Sequence, residues 1–231
     1  MTQYKIGVLT SPLSKAGVPA VSNIIEILRQ FSDNVVLITG NDGYDFFKHL
    51  PQLEVFEVKY EYKQGFLQKI LHHFMIQLWT TYFVFKVSKS VNIWIIVFSE
   101  TLIFPLIVMK LLQKPVIYIP TSSTEKTALA SRNPFQCVLK FASSSLYGLS
   151  NIIGVFSKNM IADWGLSSLK PKISIINMHF LDFKTFRCIE DYSSRVSTVG
   201  YIGRFSDEKG VINFIEAIPI IKKNLPDLKY I

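Results

Sequence analysis

Two cations near the end of the chain have the spacing of an anion site. The segment from Val199 to Gly210 reads as an apolar strand, a glycine turn and the start of a helix, with Arg204 directly after Gly203 and Lys209 five residues later. The first turn of a helix has free backbone N–H groups and partial positive charge. Cations beside such groups favour a phosphate ligand, so the segment predicts a diphosphate site. The alternative is that Arg204 and Lys209 are ordinary surface charges.

Other kinds of reactive site find little support. The four histidines do not make a metal set, because His72 and His73 are adjacent and point to different sides of a helix, while His49 and His179 lie in separate loops. The GxSxG, HExxH and P-loop patterns are absent, which argues against serine hydrolases, zinc proteases and P-loop nucleotide hydrolases. We therefore expect no bound metal.

Charge and cysteine content constrain the partner and the compartment. The chain has 25 Lys and Arg against 17 Asp and Glu, a formal net charge of +8. This favours phosphorylated small molecules or anionic lipid. Nucleic acid is the weakest candidate, because the basic residues are scattered among apolar segments without a nucleic-acid-binding motif. Cys137 and Cys188 are far apart, and Lys5 interrupts the first apolar run, so we expect a reducing, cytoplasmic location without a signal peptide.

Apolar runs of strand length alternate with amphipathic segments of helix length. Strands are expected at Tyr4 to Leu9, Val35 to Thr39, Leu53 to Val58, Ile93 to Phe98, Val116 to Ile119, Ile152 to Val155 and Ile173 to Ile176. Helices are expected at Pro19 to Gln30, Phe66 to Ser88, Leu102 to Leu112, Pro134 to Tyr147 and Asn159 to Trp164. Continuous Val and Ile runs indicate strands covered on both faces, which predicts a doubly wound, Rossmann-like α/β sheet.

The predicted sheet also locates a ligand cleft. In open α/β sheets ligands bind outside the carboxyl ends of the strands. The segments expected there are Thr10 to Gly17, Ser99 to Thr101 and Pro120 to Lys126. The apolar stretch Ile93 to Met109 could instead be a membrane span, but Glu100 and Pro105 interrupt it, so a buried strand followed by a helix is preferred.

The domain organisation is expected to be uneven. Residues 1–187 form the first domain, 188–197 make a polar linker, and 198–231 begin a second Rossmann-like domain that is left incomplete. We expect Pro219 to kink the last helix or to end it early, because proline removes a backbone donor.

The chain resembles the family-four retaining glycosyltransferases of the GT-B fold, in which two Rossmann-like domains face each other across a cleft. The most specific match is GYIGRFSDEKGVINFIEAI, which resembles the opening of the family's second domain. IIGVFSKNMIADW and IINMHFLDFKTF resemble segments that close the first domain. The resemblance implies transfer of a sugar from a nucleotide-sugar to a glycan or lipid-linked acceptor with retention, as in cell-envelope polysaccharide synthesis.

The resemblance gives roles to particular residues. Arg204 and Lys209 match the family's Arg and Lys that hold the donor diphosphate, and Gly17 matches its glycine-rich loop facing the donor phosphates. The first domain would bind the acceptor. The family often has a histidine after the fifth strand, where this chain has hydroxyls and Glu125; either Thr121, Ser122 and Glu125 bind the acceptor instead, or this chain handles its acceptor differently. Glu100 follows the fourth strand on the cleft side and is a further acceptor-cleft candidate, with a helix-capping or turn role as the alternative. No residue is assigned as nucleophile or base.

Two function classes remain open. The chain is either a transferase or a piece of one, or a non-catalytic acceptor-binding or remnant module, because the family's acidic donor-binding motif would lie beyond Ile231. We expect the 231-residue chain alone to lack measurable transfer, and a separate chain is a candidate to carry the rest of the second domain. The aromatic segment Gln64 to Lys89 either rests on an anionic bilayer as a peripheral contact or is a core helix with solvated lysines at its ends.

Overall fold

A computed structural model describes residues 4–59, 65–130, 134–177, 187, 189, 191–203, 205 and 209–231. The chain divides into two compact units, Met1–Phe180 and Leu181–Ile231. The predicted first domain ends seven residues after the first of these units.

The first unit is built on seven parallel strands. They are β1 (Ile6–Leu9), β2 (Val35–Thr39), β3 (Leu53–Glu57), β4 (Ile93–Val97), β5 (Val116–Ile119), β6 (Ile152–Val155) and β7 (Ile173–Ile175), in the sheet order β3-β2-β1-β4-β5-β6-β7. The register places Ile6 of β1 opposite Val35 of β2 and opposite Ile93 of β4. The predicted doubly wound, Rossmann-like α/β fold is confirmed.

Helices cover both faces of this sheet. They are α1 (Val18–Arg29), α2 (Asp42–Phe47), α3 (Phe66–Val87), α4 (Ile103–Leu111), α5 (Thr124–Ala130), α6 (Gln136–Leu149) and α7 (Lys158–Asp163), followed by a 3-10 helix at Ser167–Lys172. Every predicted strand and helix of this unit is present, with ends within two residues of those expected. Helices α2 and α5 were not predicted, because each is a short element in a stretch with turn-forming or polar residues.

Strand side chains alternate between two apolar layers. Val8, Leu37 and Ile95 pack with Val21, Ile24 and Ile25 of α1 on one face. Leu9, Ile96 and Tyr118 pack on the other face with residues of α3, α4 and α6, among them Ile76, Val84, Leu106, Met109 and Leu146. The sheet is therefore buried on both sides, which explains why its strands lack polar alternation.

Trp94 of β4 depends on a glycine in the neighbouring strand. A Cβ placed on Gly7 would lie 2.5 Å from Cε3 of Trp94, a distance that real Cβ contacts do not reach. The fully buried indole therefore occupies the space where β1 has no side chain. The stretch from Ile93 to Met109 forms β4, a turn and most of α4, as preferred over a membrane span. Within the described residues, no helix has both the length and the apolarity needed to cross a bilayer.

The second unit contains one parallel βαβ element. Strand β8 (Thr198–Val199) pairs in parallel with β9 (Lys229–Tyr230), and α8 (Val211–Asn224) connects them. Helix α8 continues five residues past Pro219, so the expected early end is wrong. The carbonyl that loses its partner belongs to Ile215, a residue that is 54% exposed, where water can replace the missing donor.

Candidate functional site

The sheet has a topological switch point between β1 and β4. The chain leaves β1 toward β2 on one side and leaves β4 toward β5 on the other, so the two loops separate at the carboxyl edge and form a crevice. One backbone bond joins the two loops, since the N–H of Ser11 donates to the carbonyl of Phe98 at 3.2 Å. The N–H of Thr10, the first residue after β1, donates instead to the carbonyl of Ile38 in β2 at 3.0 Å.

Two of the four described non-glycine residues with positive φ lie at this same edge, whereas the other two, Gln52 and Gln113, precede β3 and β5 at the opposite edge. Phe98, the first residue after β4, has φ of 52°, and Asn41, two residues after β2, has φ of 54°. Left-handed backbone costs a residue with a Cβ about 1 to 2 kcal/mol. At Gly40, between β2 and Asn41, a Cβ would lie only 1.9 Å from the carbonyl oxygen of Val58. Backbone strain therefore does not by itself single out this edge, but the close approach at Gly40 leaves no room for a side chain there.

Gly17 lies at the same edge, at the N-cap of α1. Its φ of −84° is available to any residue, and a Cβ there would approach Cδ2 of Leu13 to 3.2 Å, so the position favours a small residue for steric reasons. Helix α1 has no side-chain cap and no acidic residue in its first turn, which leaves its first N–H groups open to an acceptor from outside the helix.

A cavity of about 150 Å³ lies at the switch point. Its lining comes from three elements: Ser11 and Pro12 after β1, Thr101 and Leu102 after β4, and His73 and Ile76 of α3. His73 was not among the predicted site residues. The position of His73 in the sequence, far from the loops after β1 and β4, does not indicate that α3 reaches the carboxyl edge of the sheet.

Gln77 fixes the wall of the cavity that holds His73. This buried side chain donates from Nε2 to the carbonyl of Thr101 at 2.9 Å and accepts through Oε1 from the N–H of Phe104 at 3.0 Å. The Nε2 atoms of Gln77 and His73 are 3.4 Å apart. Burial, and then the neighbouring His72, lower the pKa of His73, so its imidazole is neutral near pH 7. Because the amide donates, the network assigns the imidazole proton to Nδ1.

Two of the predicted acceptor-cleft residues meet directly. The hydroxyl of Thr121, after β5, donates to Oε1 of Glu100, after β4, at 2.7 Å. Burial raises the pKa of Tyr118 well above its ordinary value, and the Glu100 charge adds to this effect. The Tyr118 hydroxyl is buried and has no hydrogen-bond partner among the described residues.

Glu125 lies apart from that pair, beside a second cavity of about 260 Å³. Ser123, Thr124, Tyr147 and Trp164 also line this cavity. Oε1 of Glu125 forms an exposed ion pair with Nζ of Lys140 at 2.6 Å. Burial, followed by the charges of Glu100 and Glu125, raises the pKa of Tyr147 to about 12, so the phenol keeps its proton as a donor. Tyr147 and Trp164 were not predicted as site residues, because helical spacing alone does not show that their side chains line a cavity.

Ser122 is exposed and lies in the sequence between Thr121 and Ser123, the first residue that lines the cavity beside Glu125. The structure thus unites Glu100 with Thr121 and places Glu125 at a neighbouring cavity. Among the residues that the structure describes, no three or more His, Cys, Asp or Glu side chains are arranged to hold a metal ion.

The predicted diphosphate cations belong to the second unit. Lys209 is exposed and directly precedes Gly210, the N-cap of α8, whose φ is 69°. The helix has no acidic residue in its first turn and no side-chain cap. Arg204 lies outside the described residues, as do most of the residues of the predicted Ile175 to Phe186 match.

Comparisons with known proteins support the fold. No known protein family matches the chain, and no curated protein matches it. Among solved structures, it is similar to Anabaena HepE in complex with UDP and glucose, with 16% identity over 99% of this chain and 60% of that one, and a TM-score of 0.66.

Two further structures show the same similarity. Acinetobacter baumannii MurG has 11% identity over 98% of this chain and 57% of that one, with a TM-score of 0.54. Arabidopsis thaliana UGT89C1 complexed with UDP-L-rhamnose has 15% identity over 99% of this chain and 69% of that one, with a TM-score of 0.57. The chain therefore spans about 60% of the length of HepE and MurG, and it shares with these structures the Rossmann-like α/β fold of the GT-B type.

Proposed function

We propose that the chain is part of a glycosyltransferase that moves a sugar from a nucleoside-diphosphate sugar to a glycan or lipid-linked acceptor with retention. The observation that carries the proposal is the crevice at the switch point, in a fold that aligns over 99% of the chain with HepE bound to UDP and glucose. Crevices at switch points are where open α/β sheets bind their ligands. We further propose that it works in the cytoplasm in the synthesis of cell-envelope polysaccharide.

We assign the donor diphosphate to Arg204 and Lys209, and we assign Gly17 the role of the glycine-rich loop that faces the donor phosphates in the family that the chain resembles. Cleavage of the glycosidic bond leaves negative charge on the departing diphosphate. Fixed cations and open helix N–H groups stabilise that charge most where it grows, which is why no metal is required. Lys209 has this position relative to α8, next to an N-terminus with neither a cap nor an acidic residue in the first turn.

The acceptor is assigned to the carboxyl edge of the first unit. Glu100 and Thr121 present a carboxylate oxygen and a hydroxyl 2.7 Å apart, a pair suited to hydrogen-bond a sugar hydroxyl. Ser122 and Glu125 extend this polar surface. His73 adds a neutral imidazole at the switch-point cavity, held by Gln77, where it can bind an acceptor hydroxyl.

A second candidate is an acceptor-binding module without catalysis. It is favoured by the location of the acceptor candidates, because Glu100 and Thr121 meet entirely within the first unit. The donor contacts would then come from a separate chain.

A transfer assay distinguishes these candidates. The 231-residue chain, and the same chain extended by whatever coding sequence follows it, are incubated with a panel of nucleotide-sugars and glycan or lipid-linked acceptors. We expect transfer only by the extended protein, and proton NMR should show a product with the donor's anomeric configuration. Glu100→Gln should raise KM for the acceptor without changing nucleotide binding. Glu26→Gln is the matched control, because Glu26 is exposed on α1, away from the acceptor candidates. Acceptor binding without transfer by either protein supports the module, and inversion of configuration refutes the retaining mechanism.

A further inference from the structure

Helix α3 has a second apolar side that the core does not use. Ile76 and Val84 face the sheet and are buried. On the opposite side Leu67, Leu71, Phe74, Leu78, Tyr82 and Phe85 repeat every three or four residues, and their exposed fractions run from 43% to 71%. This spacing forms one stripe along about 27 Å of helix. The expectation of a core helix with solvated ends therefore holds for only one side of α3.

The stripe continues onto α4. The rings of Phe74 and Phe104 meet edge to face, with centroids 5.8 Å apart. Ile107 and Leu111, one and two turns further along α4, are 41% and 77% exposed. We call the six residues of α3 together with Phe104, Ile107 and Leu111 the apolar face. Soluble monomers rarely expose a continuous apolar surface of this extent.

The opposite layer shows what an ordinary solvent-facing helix of this protein looks like. Helix α1 buries Val21, Ile24 and Ile25 and exposes Glu26. The apolar face is thus a property of one side of the first unit.

Positive charge accompanies the apolar face. Helices α3, α4 and α6, which form this layer, contain no Asp or Glu. A groove of about 430 Å³ at the C-terminal end of α3 is lined by Phe85, Lys86, Ser88, Lys89, Leu112 and Lys114. Nζ of Lys114 is fixed by the carbonyl of Val91 at 2.8 Å, while Lys86 and Lys89 are exposed. Three ammonium groups around a groove that also contains apolar side chains match an anionic headgroup attached to acyl chains.

We infer that the apolar face rests on an anionic lipid bilayer, with α3 lying in the plane of the interface and the lysine groove holding lipid headgroups. Charge selects the bilayer over a second copy of the chain, because a symmetric dimer through this face would bring lysines together without acidic partners. An interfacial helix combines an apolar stripe with flanking lysines and aromatic residues, and α3 has all three. The inference does not depend on the transfer reaction.

Vesicle binding tests the inference with the 231-residue chain. Sedimentation with vesicles of phosphatidylcholine alone, or mixed with phosphatidylglycerol, should show binding to the mixed vesicles that weakens as salt rises. Lys86→Gln with Lys89→Gln should lower that binding about 30-fold, because each lysine near an anionic surface contributes about 5-fold. Lys158→Gln with Lys170→Gln changes the net charge equally at exposed sites elsewhere and should have little effect.

A second variant pair tests the apolar contribution. Leu71→Gln with Phe85→Gln should lower binding on the order of 100-fold, about tenfold for each side chain that leaves the lipid. Phe31→Gln with Phe46→Gln, which alters side chains 75% and 50% exposed on other parts of the unit, is the matched control. Circular dichroism verifies that all variants are folded.

Tryptophan fluorescence locates the contact without relying on these variants. Trp79 is 51% exposed beside the stripe, whereas Trp94 is fully buried. Anionic vesicles should shift the emission to shorter wavelength, and Trp79→Phe should abolish the shift. The inference is overturned if the chain shows no preference for anionic vesicles, or if Phe31→Gln with Phe46→Gln loses as much binding as Leu71→Gln with Phe85→Gln. It is also overturned if Leu71→Gln with Phe85→Gln instead converts a stable dimer to a monomer.

Discussion

Replacing Gln77 by Leu should destabilise the first unit by about 2 to 3 kcal/mol. The side chain is buried and makes two hydrogen bonds of ordinary length, to the carbonyl of Thr101 and from the N–H of Phe104. Leucine fills a similar volume but leaves both backbone groups without their partner. An unsatisfied buried group costs about 1 to 3 kcal/mol. Phe104 is 38% exposed, so water can partly replace one bond, which keeps the sum in the lower half of the range.

Urea unfolding followed by circular dichroism measures this change. With a slope of about 2 to 3 kcal/mol per molar urea, the midpoint should fall by about 1 M. Gln68→Leu is the matched control, because Gln68 is exposed on the same helix and its replacement should change stability by less than about 0.5 kcal/mol.

Gln77→Glu separates the two bonds. It keeps the acceptor for Phe104 and removes the donor to Thr101, and its charge next to His73 should raise the pKa of that imidazole, measured by NMR titration. A midpoint for Gln77→Leu equal to that of Gln68→Leu would refute the reasoning. So would an unchanged His73 titration in a Gln77→Glu protein whose carboxyl is shown to be ionised.

Three further predictions concern catalysis, packing and pH. In the extended protein, Arg204→Ala or Lys209→Ala should each slow transfer by roughly two to four orders of magnitude, the effect of losing about 3 to 5 kcal/mol of oxyanion stabilisation. The thermal unfolding temperature should not change. Near-normal turnover of both variants would show that Arg204 and Lys209 are surface charges that do not bind the diphosphate. Gly7→Ala should cost about 2 to 3 kcal/mol in urea unfolding because its Cβ would strike the buried indole, whereas Gly148→Ala, with nothing within 4 Å of its Cβ, should be neutral or stabilising; equal effects would contradict the packing argument. Burial lowers the pKa of His73, so below about pH 6.5 the unfolded chain binds a proton at this residue that the folded chain does not. The free energy of unfolding should therefore be highest above that pH and should fall as the pH drops toward the lowered pKa. His73→Asn should remove this part of the pH dependence, and identical profiles for the two proteins would contradict the argument.

The sheet was predictable from sequence because its strands carry their own signal. The run from Val35 to Thr39 is apolar except for its last residue, and a strand that is buried on both faces requires apolar side chains at consecutive positions. Helix α2 lacked such a signal, since six residues beginning with Asp42 and Gly43 look like a turn.

Within the candidate site, sequence predicted the positions only of residues that follow a strand. Glu100 is the third residue after β4 and Thr121 is the second after the neighbouring strand β5, so their meeting at the carboxyl edge follows from the sheet order. The pair of His73 and Gln77 could not be anticipated, because i and i+4 spacing places two residues on one helix face without saying which loop that face meets. The exposed stripe of α3 was obscured for a related reason: apolar residues surround the helix, and sequence alone does not say how much of that circumference the core covers.

The central position of β1 has a consequence for synthesis of the chain. Its partner β2 follows after about 25 residues, but the partner on its other side, β4, emerges about 80 residues after β1. At about 5 to 20 residues per second, ribosomes leave the apolar backbone edge of Ile6–Leu9 open for roughly 4 to 16 s. An open edge in the middle of a future sheet is a template for pairing with other nascent chains. The sheet order that creates the switch-point crevice therefore also sets the interval during which this protein is most exposed to aggregation and most dependent on chaperones.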